Sequence, residues 1–202
     1  MPMILRSAVA SPYSRKVKIA AYHLGLDDKI ETRLLNSTDP NDPIKEQNPL
    51  GKIPALVLET GRTIYDSRVI MEYLDTLAGG GKIIPTETDA RFEALTTAAL
   101  ADGILDAAIL IVYEGRYRPD QTPYAPWLDF QRGKIERALA ALVAEPTALW
   151  PVTVGNIGVA CALGYLDFRK QIDWRAKYPA LIGWLDSFRA AVPAFDKTRP
   201  EG

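Results

Sequence analysis

The chain has 202 residues, of which 48% are hydrophobic and 24% are charged, and its formal net charge at neutral pH is −1. This length and composition suit two small globular domains. The near-zero charge disfavours a nucleic-acid surface or a polybasic membrane patch. Uninterrupted apolar runs such as AAILIV at 107–112 are far shorter than a membrane span, and the N-terminal stretch lacks the segments of a secretory signal.

Cysteine and histidine are each present once, as Cys161 and His23. A single cysteine cannot form an internal disulfide, so we expect a reducing compartment such as the cytoplasm. Two such residues far apart in the sequence are poor metal ligands, and no metal site is predicted. Serine–histidine catalysis is equally disfavoured, because His23 is interpreted as a structural or half-exposed residue within a helix.

The first eighty residues alternate between strand and helix signals. Helical spacing predicts one helix over SPYSRKVKIAAYHLGL, which Gly25 ends, and another over SRVIMEYLDTLAGGG. The stretch NSTDPNDPIKEQNPLGK is rich in Pro, Asn and Asp and is predicted to be a loop. The order βαβ followed by ββα predicts a small α/β domain over residues 1–80. The four predicted strands are MILRSAV, IETRLLN, PALVLET and TIYD.

A glycine-rich break, AGGGKIIPTETD, predicts a domain boundary, and the periodicity beyond it is helical throughout. The segment TVGNIGVACALGYLDFRK is so apolar that we expect a central buried helix. Its start predicts a capping box in weakened form, in which the neutral Asn156 offers its carbonyl oxygen to the Thr153 N–H. The fold class is therefore α/β followed by all-α, with the helical domain over 87–202. The predicted helices are 90–118, with a kink expected near Gly103, 127–145, 153–170 and 178–192.

The stretch SPYS lies where a strand ends and a helix begins. Serine is a favoured N-cap and proline fits the first helical position, so Ser11 and Pro12 are fully explained as a helix start. The same geometry offers unpaired N–H groups and partial positive charge to an anion. Arg15, Lys16 and Lys18 crowd the first turns, where the helix dipole disfavours cations. They indicate either an anion site or a solvated basic face.

Two further stretches of the first domain suggest ligand binding. In NPLGKIPAL, Pro54 precedes a strand and invites a cis peptide bond. The backbone groups of Ile53 would then be free to pair with an extended peptide, although a routine turn is the alternative. In YDSRVIMEYL, Asp66 and Ser67 begin a helix, either as ordinary caps or as groups that suit the ammonium and carboxylate of an amino acid.

SPYSRKV, NPLGKIP and a DS pair at a helix start, in this order and with a helical domain behind them, resemble the glutathione transferase family. The resemblance is to its serine-type bacterial and theta-like branch, and it covers essentially the whole chain. It implies a thioredoxin-like glutathione-binding domain over 1–80 and an all-helical electrophile-binding domain over 87–202. It also implies a homodimer and glutathione as co-substrate.

The resemblance implies a role for each motif residue. Ser11 would be the catalytic residue that holds and activates the glutathione sulfur. Tyr113, Arg116 and Tyr117 would line the electrophile pocket, or simply belong to a long helix. The implied glutathione-binding residues are Tyr13, packing or lining the pocket rather than competing as the hydroxyl donor; Lys52, near the glycine carboxylate or nearby backbone; Ile53 and Pro54, at the cysteinyl backbone; Asp66 and Ser67, at the γ-glutamyl end; and Asp102, reaching the γ-glutamyl amine across the dimer.

The implied function is conjugation of glutathione to small electrophiles, without a nucleic-acid or membrane partner. A glutathione-dependent disulfide oxidoreductase is one alternative. That chemistry usually needs a cysteine at the position of Ser11, and Cys161 lies in an apolar run typical of a small buried residue. A non-catalytic glutathione-binding protein is a second alternative, and isomerisation or ether cleavage with glutathione is a third.

Overall fold

The computed structural model describes residues 2–35, 39 and 41–200. Contacts divide these residues into two compact units, one formed by Phe92–Ala191 and the other by the described residues before and after that segment. A small mixed sheet with helices precedes a run of helices, so the predicted fold class is confirmed. The domain limits 1–80 and 87–202 stay a prediction.

The described residues contain four strands and nine α-helices. The strands are β1 (Met3–Ser7), β2 (Ile30–Leu34), β3 (Ala55–Val57) and β4 (Thr63–Ile64). The helices are α1 (Pro12–His23), α2 (Ile44–Gln47), α3 (Ser67–Leu77), α4 (Thr88–Tyr117), α5 (Ala125–Ala144), α6 (Val154–Arg169), α7 (Trp174–Lys177), α8 (Ala180–Ala191) and α9 (Ala194–Lys197).

The sheet has the strand order β2-β1-β3-β4. β1 and β2 are parallel and are connected through α1, whereas β3 is antiparallel to β1 and β4 is antiparallel to β3. Leu5 and Leu56 face each other in the β1–β3 register and are almost completely buried. α1 packs against α3 and α9. The sheet and these helices position the three motifs of the first unit.

The predicted loop between β2 and β3 contains a helix that the sequence did not indicate. Part of this stretch, residues 36–38 and 40, lies outside the described residues. α2 is four residues long, too short to show helical periodicity. Arg6 of β1 donates from Nη2 to both carboxylate oxygens of Asp42, at 2.7 Å each. Asp42 also accepts the Ile44 N–H, so this buried ion pair fixes the start of α2 to the sheet.

In the helical unit, α6 is the central buried helix, as predicted: every residue from Val154 to Leu163 is buried. Its glycines allow a close approach to α4, which runs unbroken through Gly103. A Cβ atom added at Gly155 would lie 2.9 Å from the carbonyl oxygen of Ala94. One added at Gly158 would lie 3.0 Å from Cβ of Ala101. Close packing against α4 thus explains why glycine, a poor helix former, occupies positions 155 and 158.

The predicted capping box at the start of α6 is confirmed. The Thr153 N–H donates to Oδ1 of Asn156 at 2.6 Å, and the Asn156 N–H donates to Oγ1 of Thr153 at 3.3 Å. The Asn156 amide also donates to the carbonyl oxygen of Ala148 at 2.6 Å. An aspartate would lack this donor, which gives a physical reason for the neutral residue.

One described helix, α4, is long and apolar enough to span a membrane by length and composition alone. Its most apolar window has a mean hydropathy of 1.8 and is 33% buried. The core helices of soluble proteins meet the same criterion. This property is therefore weak evidence, and the predicted absence of a membrane partner stays a prediction.

Candidate functional site

The three motifs of the first unit meet at one end of the sheet. β1 runs toward Ser7 and pairs through Arg6 with Ala55, the first residue of β3. The segment after β1, which leads to Ser11, therefore lies beside the segment before β3, which contains Ile53 and Pro54. The last residue of β4, Ile64, pairs with Leu56, so Asp66 follows at the same end.

Ser11 is the N-cap of α1, in an extended conformation, with Pro12 at the first helical position. Its Oγ accepts the Ser14 N–H at 3.2 Å, and its own N–H donates to the carbonyl oxygen of Ala8 at 3.1 Å. Its side chain is half-buried. Within the described part of the chain, the Ser11 hydroxyl donates to no acceptor. The structural role predicted for Ser11 thus leaves its O–H available to a ligand.

Arg15 and Lys16, in the first turns of α1, are not part of a solvated basic face. Arg15 is buried, donates from Nη2 to the carbonyl oxygen of Phe195 at 2.7 Å, and lies 3.9 Å from the centroid of the Phe195 ring. Arg15 therefore anchors α9 to the start of α1. Lys16 is also buried, with Nζ 5.4 Å from the centroid of the half-buried Tyr13 ring.

The Ile53–Pro54 peptide bond is cis, as expected from the sequence. Ile53 is half-buried, and its backbone N–H and C=O form no hydrogen bond with any residue that the structure describes. The preceding loop is held by Asn48, which is 2% exposed. Asn48 donates to the carbonyl oxygen of Lys52 at 2.8 Å and accepts the Leu50 N–H at 3.0 Å. Sequence reasoning missed Asn48, although an asparagine before a proline is a turn signal.

Asp66 is the N-cap of α3, and Ser67 is its first residue. Oδ1 of Asp66 accepts the Arg68 N–H at 3.0 Å, while Oδ2 lies 2.9 Å from Nη2 of Arg68. Partial burial alone would raise the pKa of Asp66, but the Arg68 hydrogen bonds and the charges of Arg68 and Lys16 outweigh it and lower the pKa. Asp66 is therefore ionised at neutral pH. The Ser67 side chain is buried beside it, whereas Lys52 is exposed.

The remaining predicted residues lie in the helical unit, on α4. Asp102 is buried at 7% exposure. Tyr113, Arg116 and Tyr117 are exposed, with the two tyrosine rings 5.0 Å apart in an edge-to-face arrangement. A cavity of about 460 Å³ in this unit is lined by residues that sequence reasoning missed. They are Glu114, Arg118, Tyr124, Pro126, Trp127 and Phe130.

Two family models match the chain. Residues 10–77 match the family model described as glutathione S-transferase, N-terminal domain, and residues 125–187 match the model described as glutathione S-transferase, C-terminal domain. The chain is 31% identical to the uncharacterized GST-like protein YibF of Escherichia coli K12, over 98% of both chains.

Two solved structures extend the likeness to three dimensions. One is a glutathione transferase family member from Pseudomonas fluorescens Pf-5 with bound glutathione, which superposes with a TM-score of 0.90 at 41% identity over 99% of this chain and 100% of that one. The other is a glutathione S-transferase from Methylobacillus flagellatus with glutathione bound, with a TM-score of 0.90 at 36% identity over 98% and 100% of the two chains.

Proposed function

Because the chain belongs to the glutathione S-transferase family, we propose that it binds glutathione at the sheet end where its three motifs meet. We further propose that it conjugates the glutathione thiolate to small electrophiles. One observation carries this proposal: the half-buried Ser11, whose hydroxyl donates no hydrogen bond in the described chain, lies at the same end of the sheet as Ile53, whose backbone groups are unpaired there. The glutathione seen in two similar proteins supports the choice of ligand.

Ser11 would act as the catalytic residue by donating its O–H to the glutathione sulfur. A free thiol has a pKa of about 8.5, and lowering it by about two units requires roughly 2.7 kcal/mol of preference for the anion. A hydrogen bond to a charged acceptor contributes about 1.5–3 kcal/mol. The N-terminus of α1 adds about 0.3–1 kcal/mol. These two contributions suffice without a histidine base.

The other residues would position the tripeptide. The Ile53 backbone would pair with the cysteinyl residue as an added strand, next to Pro54. The γ-glutamyl ammonium would lie near the ionised Asp66, and its carboxylate near Ser67 at the start of α3. Lys52 would approach the glycine carboxylate, and Tyr13 would pack beside the sulfur.

In the reaction, the thiol proton leaves to solvent and the thiolate sulfur attacks an electrophilic carbon. A carbon–sulfur bond forms, and any leaving group departs with its electron pair. Cys161 is completely buried in α6, which supports a transferase over a cysteine-based disulfide oxidoreductase. The homodimer, the role of Asp102 across it, the electrophile contacts of Tyr113, Arg116 and Tyr117, and the cytoplasmic location stay predictions.

The decisive experiment compares Ser11→Gly with Ser11→Thr and Ser14→Ala. Glycine retains most of the N-cap preference, whereas alanine would cost about 1 kcal/mol of stability, so Ser11→Gly isolates the hydroxyl. We expect Ser11→Gly to bind glutathione with similar affinity in calorimetry. The pKa of the bound thiol, followed by thiolate absorbance, should rise by one to two units, and conjugation at neutral pH should fall about tenfold or more.

Two variants control for structural effects. Ser11→Thr keeps a hydroxyl and should restore most of the activity. Ser14→Ala removes a buried hydroxyl that has no hydrogen-bond partner among the described residues, so it should leave the thiol pKa unchanged. An unchanged thiol pKa in Ser11→Gly would show that Ser11 is not the catalytic residue. Glutathione binding without turnover of any electrophile class would support the non-catalytic alternative instead.

A further inference from the structure

The first unit contains a second cavity, and none of the residues lining it belongs to the three motifs. Its volume is about 270 Å³, and it is lined by residues of β1, β2, α1 and the segment that ends α9. Leu5 and Ala21 are buried and Ile30 is half-buried, so part of the lining is apolar. The charged residues that the argument uses are Lys18, Asp27, Lys197 and Arg199.

The cavity has an excess of positive charge. Lys18 is half-buried, and its ammonium has no hydrogen-bond or ion-pair partner among the residues that the structure describes. Nζ of Lys197 lies 5.5 Å from the centroid of the Tyr22 ring, and among the described residues neither this ammonium nor the guanidinium of Arg199 has a hydrogen-bond or ion-pair partner. Among the described residues of the lining, Asp27 is the single carboxylate. In this described lining, three cations therefore share one carboxylate.

Burial makes this charge costly for the protein alone. The pKa of Lys18 is lowered, and burial of the ammonium is the cause. A half-buried ammonium without a counter-ion is disfavoured because it loses part of its hydration and nothing replaces it. An anionic ligand would supply the missing partner. The electrostatics of the cavity thus favour a bound carboxylate over a neutral or cationic ligand.

The wall formed by the C-terminal segment is fixed in place. Arg15 donates to the carbonyl oxygen of Phe195 at 2.7 Å and, through Nε, to Oγ1 of Thr198 at 3.4 Å. Oγ1 of Thr198 donates in turn to the carbonyl oxygen of Ala194 at 2.8 Å. These bonds hold Lys197 and Arg199 at the cavity. The positive charges are therefore arranged before any ligand arrives.

We infer that this cavity binds a small amphipathic monocarboxylate. Its apolar body lies against Leu5, Ala21 and Ile30, and its carboxylate pairs with Lys18 and with Lys197 or Arg199. The volume is just below the range of drug-sized pockets, which suits a ligand of about 10–15 non-hydrogen atoms. This inference goes beyond the proposed function, because the cavity shares no residue with the proposed glutathione site.

The test is calorimetric titration of the full chain with 1-naphthoate, compared with the neutral 1-naphthamide. We expect saturable binding of 1-naphthoate that saturating glutathione does not displace, and affinity at least tenfold weaker for the amide. Lys18→Met keeps an unbranched side chain that ends where the ammonium would begin and removes the charge, so it should weaken 1-naphthoate binding about tenfold or more. Lys29→Met is the matched control, since Lys29 is exposed and does not line the cavity, and it should bind like the wild type.

A second variant keeps the test independent of the folding of Lys18→Met. The double substitution Lys197→Met and Arg199→Met changes two exposed residues and should also weaken binding at least tenfold. The inference is overturned if the wild type shows no saturable binding. It is equally overturned if the Lys18 variant and the double variant both bind like the wild type, or if glutathione displaces 1-naphthoate. Each of these outcomes leaves the proposed role of Ser11 untouched, so the two proposals fail separately.

Discussion

Helices α1 and α6 begin with the same capping hydrogen bond. Among the described residues, the hydroxyl group at the start of α6 also donates a hydrogen bond, whereas the hydroxyl group at the start of α1 does not. In both, a hydroxyl oxygen accepts the N–H of the third helical residue, at 3.2 Å for Ser11 and 3.3 Å for Thr153. The Thr153 hydroxyl also donates to Oδ1 of Asn156 at 2.8 Å. The Ser11 hydroxyl has no such acceptor among the described residues.

The difference arises at the third helical position. Asn156 is long enough to return to Thr153, whereas the corresponding residue of α1, Ser14, is buried and too short to reach back. A closed capping box satisfies all its polar groups and serves folding. An open one retains a donor beside a positive helix end, which is what a thiolate requires. One short side chain thus separates a structural helix start from a site that can bind an anion.

The largest effect that tests this comparison is expected at Asn156. Asn156→Ala removes the bonds to Thr153 and leaves the carbonyl oxygen of Ala148 without its amide donor. We expect the free energy of unfolding to fall by about 3 kcal/mol, measured by urea denaturation. Ser14→Ala, at the equivalent position of α1, should change it by less than about 0.5 kcal/mol. Equal costs in the two helices would contradict the distinction between a closed and an open start.

The next effect concerns the packing that holds α6 in place. Gly155→Ala puts a methyl group 2.9 Å from the carbonyl oxygen of Ala94, and we expect it to destabilise the protein by about 2 kcal/mol. The matched control is Gly103→Ala on α4, where an added Cβ has no neighbour within 4 Å. That change should stabilise the helix by about 0.5–1 kcal/mol. Thermal unfolding of both variants measures the contrast, and effects of the same sign would show that α4 and α6 do not pack so closely.

The smallest effect is the pH dependence of stability that comes from Asp66, the N-cap of α3. The pKa of Asp66 is lowered in the folded protein, so its ionised form stabilises the fold above the ordinary aspartate pKa of about 3.9, and that contribution is lost as the pH falls through the lowered pKa. Asp66→Asn keeps the cap but loses the charge. Because the pair with Arg68 is exposed, the wild type should be more stable by less than about 1 kcal/mol at neutral pH.

Denaturant titrations of the two proteins between neutral pH and about pH 3 check this sign. The difference in the free energy of unfolding should shrink toward zero in the acidic part of this range. A difference that grows on acidification would mean that the Asp66 carboxylate is not stabilised as an anion. Neither result bears on the caps of α1 and α6, whose side chains carry no charge.

Local rules predicted much of the molecule. Alternating and helical periodicities located the strands and long helices, because burial of one face imposes those spacings directly on the sequence. The capping residues Ser11, Asp66 and Thr153 were found for the same reason, since their hydrogen bonds reach only two or three residues along the chain. The order of three motifs was enough to indicate the family.

Other features depend on partners that are distant in the sequence. Arg15 was interpreted as part of an anion site or a solvated face, yet its partner is Phe195, 180 residues away. Asp75 was not singled out, although its carboxylate accepts three backbone N–H groups, from Gly81, Lys82 and Ile83, in the glycine-rich turn. The short helices α2, α7 and α9 show no period because each is four residues long.

The sequence by itself determined the order of the strands and long helices, the caps Ser11, Asp66 and Thr153, and the family, because each follows from contacts within a few residues or from a linear pattern. Only the tertiary structure decided which of those groups remain available to a ligand. In the described chain, the Ser11 hydroxyl proton and the Lys18 ammonium have no partner, whereas Arg15 donates a hydrogen bond to Phe195 of α9. Availability depends on what burial and distant segments bring within hydrogen-bonding distance, and only the folded chain fixes those distances.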